Sequence, residues 1–199
     1  MRKEIQETLD ELERQRQDEP RGSARGGDLD QRMLAVGPDS AKFINTLVRA
    51  IRAERVIEVG GSMGYSTVWL GEAVEAVGGR MTTLEIVDSK IAILQRRIQQ
   101  AGLANTVQVK AGDARASLRE LEGPFHFVLV DAWKDDYPAY FDAIFPKLAI
   151  GGLMVADNII FPEPSEGILS YLTKARTEPN AQTQTVAVGN GLEVTIRLG

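Results

Sequence analysis

Cysteine is absent from this 199-residue sequence, and histidine occurs once, as His126. Without thiols there can be no disulfide, no thiol nucleophile and no thiolate metal site. With one histidine, a multi-histidine zinc centre is excluded. Long apolar runs are also missing: none approaches the about 20 residues that span a bilayer. The first residues carry no apolar core of a signal segment, so the expectation is a cytoplasmic protein. Positive charge is in deficit, with a formal net charge of -5. That balance argues against general nucleic-acid binding and against an anionic membrane partner. What is present is 43% hydrophobic residues, enough to fill the core of one domain of ordinary size.

Residues 1–18 are highly charged but place Ile5, Leu9 and Leu12 on one helical face. Such a segment is either a solvated, fraying helix or one that packs on a partner subunit. The stretch "PRGSARGG", 20–27, reads as a flexible linker, which leaves 28–199 as a single domain. Pro38 and Asp39 open a helix whose apolar face is expected to be Phe43, Leu47, Val48 and Ile51. From there strand candidates (55–59, 80–86, 106–110, 125–131, 150–156) alternate with helix candidates (about 65–77, 88–101, 114–121, 137–148, 165–176). Runs such as "FHFVLV" and "GGLMVA" are apolar almost throughout, as in strands covered on both faces of a parallel sheet. The alternation predicts an open, doubly wound α/β fold. Two strand runs around Gly189-Asn190-Gly191 then predict a C-terminal hairpin that adds an antiparallel edge.

Open α/β sheets bind ligands beyond the carboxyl ends of their strands. The first strand there runs into "VGGSMGYS", 59–66, a glycine loop whose spacing is not the dinucleotide pattern G-x-G-x-x-G. The second ends in Glu85, placed to accept hydrogen bonds from ribose hydroxyls or to cap the surface. The third leads to Asp113, which could meet an adenine amino group or cap the next helix. Asp131 ends the fourth strand, and Asp157-Asn158 the fifth. This trio offers only oxygen ligands, which suits a hard divalent cation such as Mg2+, with Mn2+ or Ca2+ as substitutes; a metal-free hydrogen-bonded cluster is the alternative. Lys134 lies three residues past Asp131, where a nearby dication would weaken its hold on a proton and let it act as a base. His126 begins an apolar strand and reads as structural.

From about Met33 to Gly199 the chain resembles the cation-dependent, S-adenosylmethionine-dependent O-methyltransferases of the catechol and caffeoyl-CoA type. The resemblance is carried in order by "VIEVGGSMGYS", "LEI" with Glu85, "DAWKDDY" at 131–137, "ADNII" at 156–160 and "NGLEVTIRL". It implies a Rossmann-like class I methyltransferase fold with a mostly parallel seven-stranded sheet. It also implies Asp131, Asp157 and Asn158 as metal ligands and Lys134 as catalytic base. Implied cofactor contacts are Glu85 at the ribose; Gly60, Ser62 and Ser66 at the methionine end; Trp133, Asp113 and Ala114 at the adenine; and Val36 before the first strand. Glu58, Gly64, Ile86 and Asp131 complete that set. The implied acceptor is a small hydroxylated aromatic, and the implied assembly a homodimer. The segment 176–185 is shorter than in the catechol branch and "FPEPSEG", 161–167, shorter than in the plant caffeoyl-CoA branch, which points to compact bacterial members. A dinucleotide-dependent oxidoreductase and a non-catalytic cofactor binder are the rival classes. The first lacks its glycine signature here; the second would not require intact metal and base positions.

Overall fold

A strand that is apolar at every position has to be covered on both faces, and a computed structural model of the protein shows how. It describes residues 1–19, 31–161 and 163–199, so the expected linker at 20–27 lies outside the described residues. Five parallel strands form the centre: β1 (Arg55–Val59), β2 (Arg80–Glu85), β3 (Val107–Ala111), β4 (Phe125–Val130) and β5 (Leu148–Ala156). The hairpin β6 (Ala181–Val186) and β7 (Leu192–Arg197) completes a seven-stranded sheet of order β3-β2-β1-β4-β5-β7-β6. Only β7 against β5 and β6 against β7 are antiparallel.

Side chains along a strand alternate between faces, and the apolar runs sort accordingly. Val56, Phe127, Leu129, Leu153 and Val155 join one buried cluster. Ile57, Val128, Val130, Met154 and Ala156 join the other. The first face is covered by α1 (Lys3–Asp18), α2 (Pro38–Ala50), α3 (Tyr65–Ala76) and α4 (Asp88–Gln100). The second carries α5 (Ala114–Glu120), α6 (Tyr137–Ile144) and α7 (Glu166–Thr177).

Two expectations about helices are corrected. The Ile5, Leu9 and Leu12 face of α1 is neither frayed nor free for a partner: it is buried in the chain's own core, where α1 meets α3 and α4. Burying three such side chains favours docking by about 1.5–3 kcal/mol each, which overcomes the poor helical stability of a charged segment. Ion pairs then fix the register of this contact: Arg2 to Glu75 at 2.9 Å and Arg97 to Glu11 at 2.7 Å. In α2 the inward face is Ala41, Ile44, Asn45 and Val48; Phe43 and Leu47 are half-buried and Ile51 is exposed. The helix is rotated because Asn45 turns inward, its amide donating to the Trp69 carbonyl and to Glu72, both at 2.8 Å. A polar residue that satisfies buried groups can thus claim a core position that hydrophobicity alone would give to a neighbour. Among the described residues no helix is long and apolar enough to cross a membrane.

Candidate active site

All five parallel strands end at one edge, and a cavity of about 920 Å³ opens there. Its floor is the glycine loop. Gly60 has φ +96, and a Cβ at that position would fall 2.1 Å from the Asp131 carbonyl oxygen. Glycine is therefore required because the ends of β1 and β4 nearly touch, before any ligand is considered. Gly64, φ +99, is the left-handed residue that starts α3; it faces Leu94 and Arg97 rather than the cavity. Gly60, Ser62 and Ser66 line the wall.

Ser62 is itself left-handed at φ +44 and is held in that state by its neighbours. Its N–H donates to Glu85 Oε2 at 2.7 Å and its hydroxyl to the Met33 carbonyl at 2.5 Å. Glu85 Oε1 accepts from the backbone N–H groups of Ile86 and Val87, both at 2.9 Å. A carboxylate has about four acceptor positions. Three are thus used by the protein, so Glu85 retains room for one further donor rather than two.

Ile86, Asp113 and Ala114 also line this end. Asp113 is the N-cap of α5, accepting from the Arg115 N–H at 2.8 Å and pairing with the Arg115 guanidinium at 2.8 Å. That guanidinium holds the Asp113 carboxyl below its usual range. The capping alternative is therefore the observed arrangement, and Arg115, unforeseen in the sequence, joins the wall and reaches on to Asp136 at 3.2 Å.

The end formed by β4 and β5 differs in kind. Asp131, Trp133, Lys134 and Asn158 line it. Trp133 is 58% exposed, with Phe161 also exposed on the same wall. Lys134 Nζ lies 2.9 Å from Asp131 Oδ1 and 2.9 Å from the Tyr137 hydroxyl. Tyr137, buried, in turn donates towards the carbonyls of Val130 and Asp157, which ties the base position to both strand ends. Asn158 has φ +61, the left-handed conformation that asparagine tolerates better than most residues.

Asp157 itself is buried just behind the wall, and its Oδ1 has no hydrogen-bond partner among the described residues. Burial, and secondarily the charge of Asp131, pushes its carboxyl up to about 7, opposed first by a hydrogen bond from the Asn158 backbone and then by the charge of Lys134. Two repelling carboxylates with an orphaned buried oxygen form a donor set that a hard cation would relieve. The residues present therefore fit a divalent cation. No cluster of three or more His, Cys, Asp and Glu occurs among the described residues; the candidate set is two carboxylates and an amide.

Three further residues named from the sequence stay off the wall. Val36 is buried in the core, and Met33, Leu34 and Ala35 form the wall in its place. Gly64 has been described. Glu58 is completely buried beneath the glycine loop, accepting from Thr67 at 2.5 Å and Thr83 at 2.7 Å. Desolvation pushes it up to about 7, against the opposing hydrogen bonds of Ser66, Thr67 and Thr83. It can reach a ligand only through the loop it supports.

Sequence reading also missed the contribution of α1. Arg16 and Glu19, at its end, line the cavity over the glycine loop. Glu13, held down to about 2 chiefly by Arg16, accepts from the Tyr65 hydroxyl at 3.0 Å and so ties α1 to the first residue of α3. Nothing local in 1–19 signals this, because the contact spans 52 residues of sequence.

A mostly parallel seven-stranded sheet, with its last strand inserted antiparallel beside β5, is the class I methyltransferase fold. An O-methyltransferase from Bacillus cereus, solved in complex with SAH, superposes with a TM-score of 0.82 at 26% identity, covering 96% of this chain and 90% of that one. The chain belongs to the O-methyltransferase family, whose model matches residues 9–169. Among curated relatives it is 36% identical over 131 residues to a catechol O-methyltransferase of Niastella koreensis, a match covering 64% of this chain and 59% of that protein. It is also 36% identical over 128 residues to a catechol O-methyltransferase of Mycobacterium tuberculosis, covering 64% and 58%. The chain thus spans about three-fifths of the length of these relatives.

Proposed function

We propose that this protein transfers a methyl group from S-adenosylmethionine to one hydroxyl of a small aromatic carrying vicinal hydroxyls, with a divalent cation held by Asp131, Asp157 and Asn158. The observation that carries the reading is Asp157. Its buried oxygen, unpartnered among the described residues, is costly to maintain and lies beside Asn158, just behind the wall of the cavity that Glu85 also lines. The catechol O-methyltransferase relatives and the SAH-bound neighbour support it.

When bound, the donor supplies an electrophilic sulfonium methyl, and the cation supplies positive charge that favours the ionised form of a chelating hydroxyl. The chain does the rest, which is mainly positioning. Glu85, itself held by the Ser62 N–H, takes one donor from the ribose end and fixes it against the glycine loop. Lys134 Nζ, beside Asp131 and the Tyr137 hydroxyl, is the group placed to take the hydroxyl proton, which it would do in its uncharged form after releasing its own proton to solvent. Trp133, Leu34 and Phe161 line the cavity with exposed apolar surface, against which an aromatic acceptor can pack.

The test is product formation from S-adenosylmethionine, Mg2+ and catechol, with and without EDTA. Methylated catechol that disappears with chelator is the expected result. Turnover insensitive to EDTA would remove the cation, and no turnover with any vicinal diol would remove the acceptor class.

A further inference from the structure

The turn 187–191 joins β6 to β7. Because β7 runs antiparallel, its first residues, not its last, stand at the cavity edge: Glu193 pairs with Ala156, the residue before Asp157. The turn is held from two sides. The N–H groups of Ile160 and Phe161 both donate to the Asn190 carbonyl, at 2.9 and 3.0 Å, and that of Ile159 donates to the Gly191 carbonyl at 3.1 Å. Gly191 has φ +87, and a Cβ there would meet Ile160 Cγ1 at 2.4 Å, so the turn lies flat against the loop that follows Asn158. On the other side the Ser40 hydroxyl donates to the Val188 carbonyl at 3.4 Å. On this fixed backbone Asn190 lines the same cavity as Asn158 and Phe161. Asn190 is exposed at this edge.

Position determines what Asn190 can meet. Neighbouring strands lie about 4.8 Å apart. The order β2-β1-β4-β5-β7 puts four such steps, roughly 19 Å, between the end of β2 with Glu85 and the start of β7. A donor anchored at Glu85 and laid across β1 ends before that point. Asn190 therefore borders the acceptor's end. A carboxamide brings both donor and acceptor groups without charge, at an edge that already carries Asp131, Asp136 and Asp157.

We infer that Asn190 is a specificity-determining residue: its carboxamide hydrogen-bonds a polar ring substituent of the acceptor and so fixes which of the two vicinal hydroxyls faces the methyl donor. This rests on the O-methyltransferase reading above. A hydrogen bond to a charged substituent contributes about a factor of ten or more to recognition.

The experiment compares catechol with 3,4-dihydroxybenzoate, using S-adenosylmethionine and Mg2+, in the wild type, Asn190→Ala and Asn190→Asp. Donor affinity by calorimetry and the thermal midpoint establish that each variant is folded. The wild type should methylate one hydroxyl of dihydroxybenzoate in preference to the other. Asn190→Ala should lower the ratio of kcat/KM for dihydroxybenzoate over catechol about tenfold and level the two products. Asn190→Asp should lower the ratio further, because two carboxylates then face each other. A ratio and a product distribution within about twofold of wild type in both variants would overturn the inference while leaving the O-methyltransferase reading intact. A wild type that methylates neither diol would overturn that reading, and this inference with it.

Discussion

The two halves of the cavity are built on opposite principles. At the ends of β1, β2 and β3 the protein satisfies its own polar groups. Glu85 accepts three backbone N–H groups, and Asp113 is capped and paired by Arg115. At the ends of β4, β5 and β7 they are left short. Asp157 Oδ1 has no partner among the described residues, Asp131 shares its charge with Lys134, and Asn190 turns an exposed amide to the edge. A half that is complete in itself presents a fixed hydrogen-bonding surface and needs no reorganisation to receive a ligand. A half with unpaired buried charge is costly alone and becomes favourable only when a cation and a polar acceptor complete it. Under the function proposed, donor recognition falls to the first half and chemistry to the second.

The contrast breaks most sharply at Asp157. Asp157→Ala should reduce cation-dependent turnover by roughly a thousandfold or more, since a metal contributes several kcal/mol to the barrier. Donor affinity by calorimetry should be unchanged, and donor binding lost together with turnover would dissolve the division. Lys134→Ala should lower kcat about a hundredfold, the usual range for a positioned base, with the donor again bound normally; a wild-type rate would remove it as the base. The first half should respond in the reverse sense. Glu85→Gln is expected to weaken donor binding about tenfold, the loss of one charge-assisted hydrogen bond, while kcat at saturating donor stays within a few-fold.

A further effect is one of pH, read in stability rather than in turnover. Glu58 is fully buried and pushed up to about 7. Below its unfolded value both states carry the proton. Between about 4.5 and 7 the unfolded chain loses it first, so stability falls as pH rises, and above about 7 the curve is flat. The span is on the order of 3 kcal/mol. Asp157 pulls in the same direction. Glu58→Gln should therefore reduce, without abolishing, the fall in thermal midpoint between pH 5 and 7. Added Mg2+ should remove much of the remainder. An unaltered slope in the variant would show that Glu58 is ionised throughout.

The strand ends were readable because they depend on periodicity. Apolar runs followed by Glu85, Asp113, Asp131 and Asp157 place those residues at one edge in any doubly wound sheet. The rotation of α2 was not readable, because Asn45 is drawn inward by a carbonyl 24 residues away. Nor was the role of Glu58: its alternation in β1 gives burial, but only the neighbouring strand and helix supply Thr83 and Thr67 to receive it. Asn190 had a signal that was only half used. The Gly-Asn-Gly turn was recognised as a hairpin, but its place beside Asn158 follows only once β7 is known to lie next to β5.

By itself, then, the sequence determined the class of fold and the chemical types gathered at the sheet edge, because both follow from local periodicity and from the ends of apolar runs. Tertiary structure alone decided which of those groups face the cavity and which lie behind it. It decided that α1 roofs the glycine loop, and that one half of the site is satisfied while the other keeps a buried carboxylate oxygen without a partner among the described residues. Those outcomes rest on contacts between segments far apart in the chain, where close packing and the requirement to pair buried polar groups select one arrangement among many that the local pattern would allow.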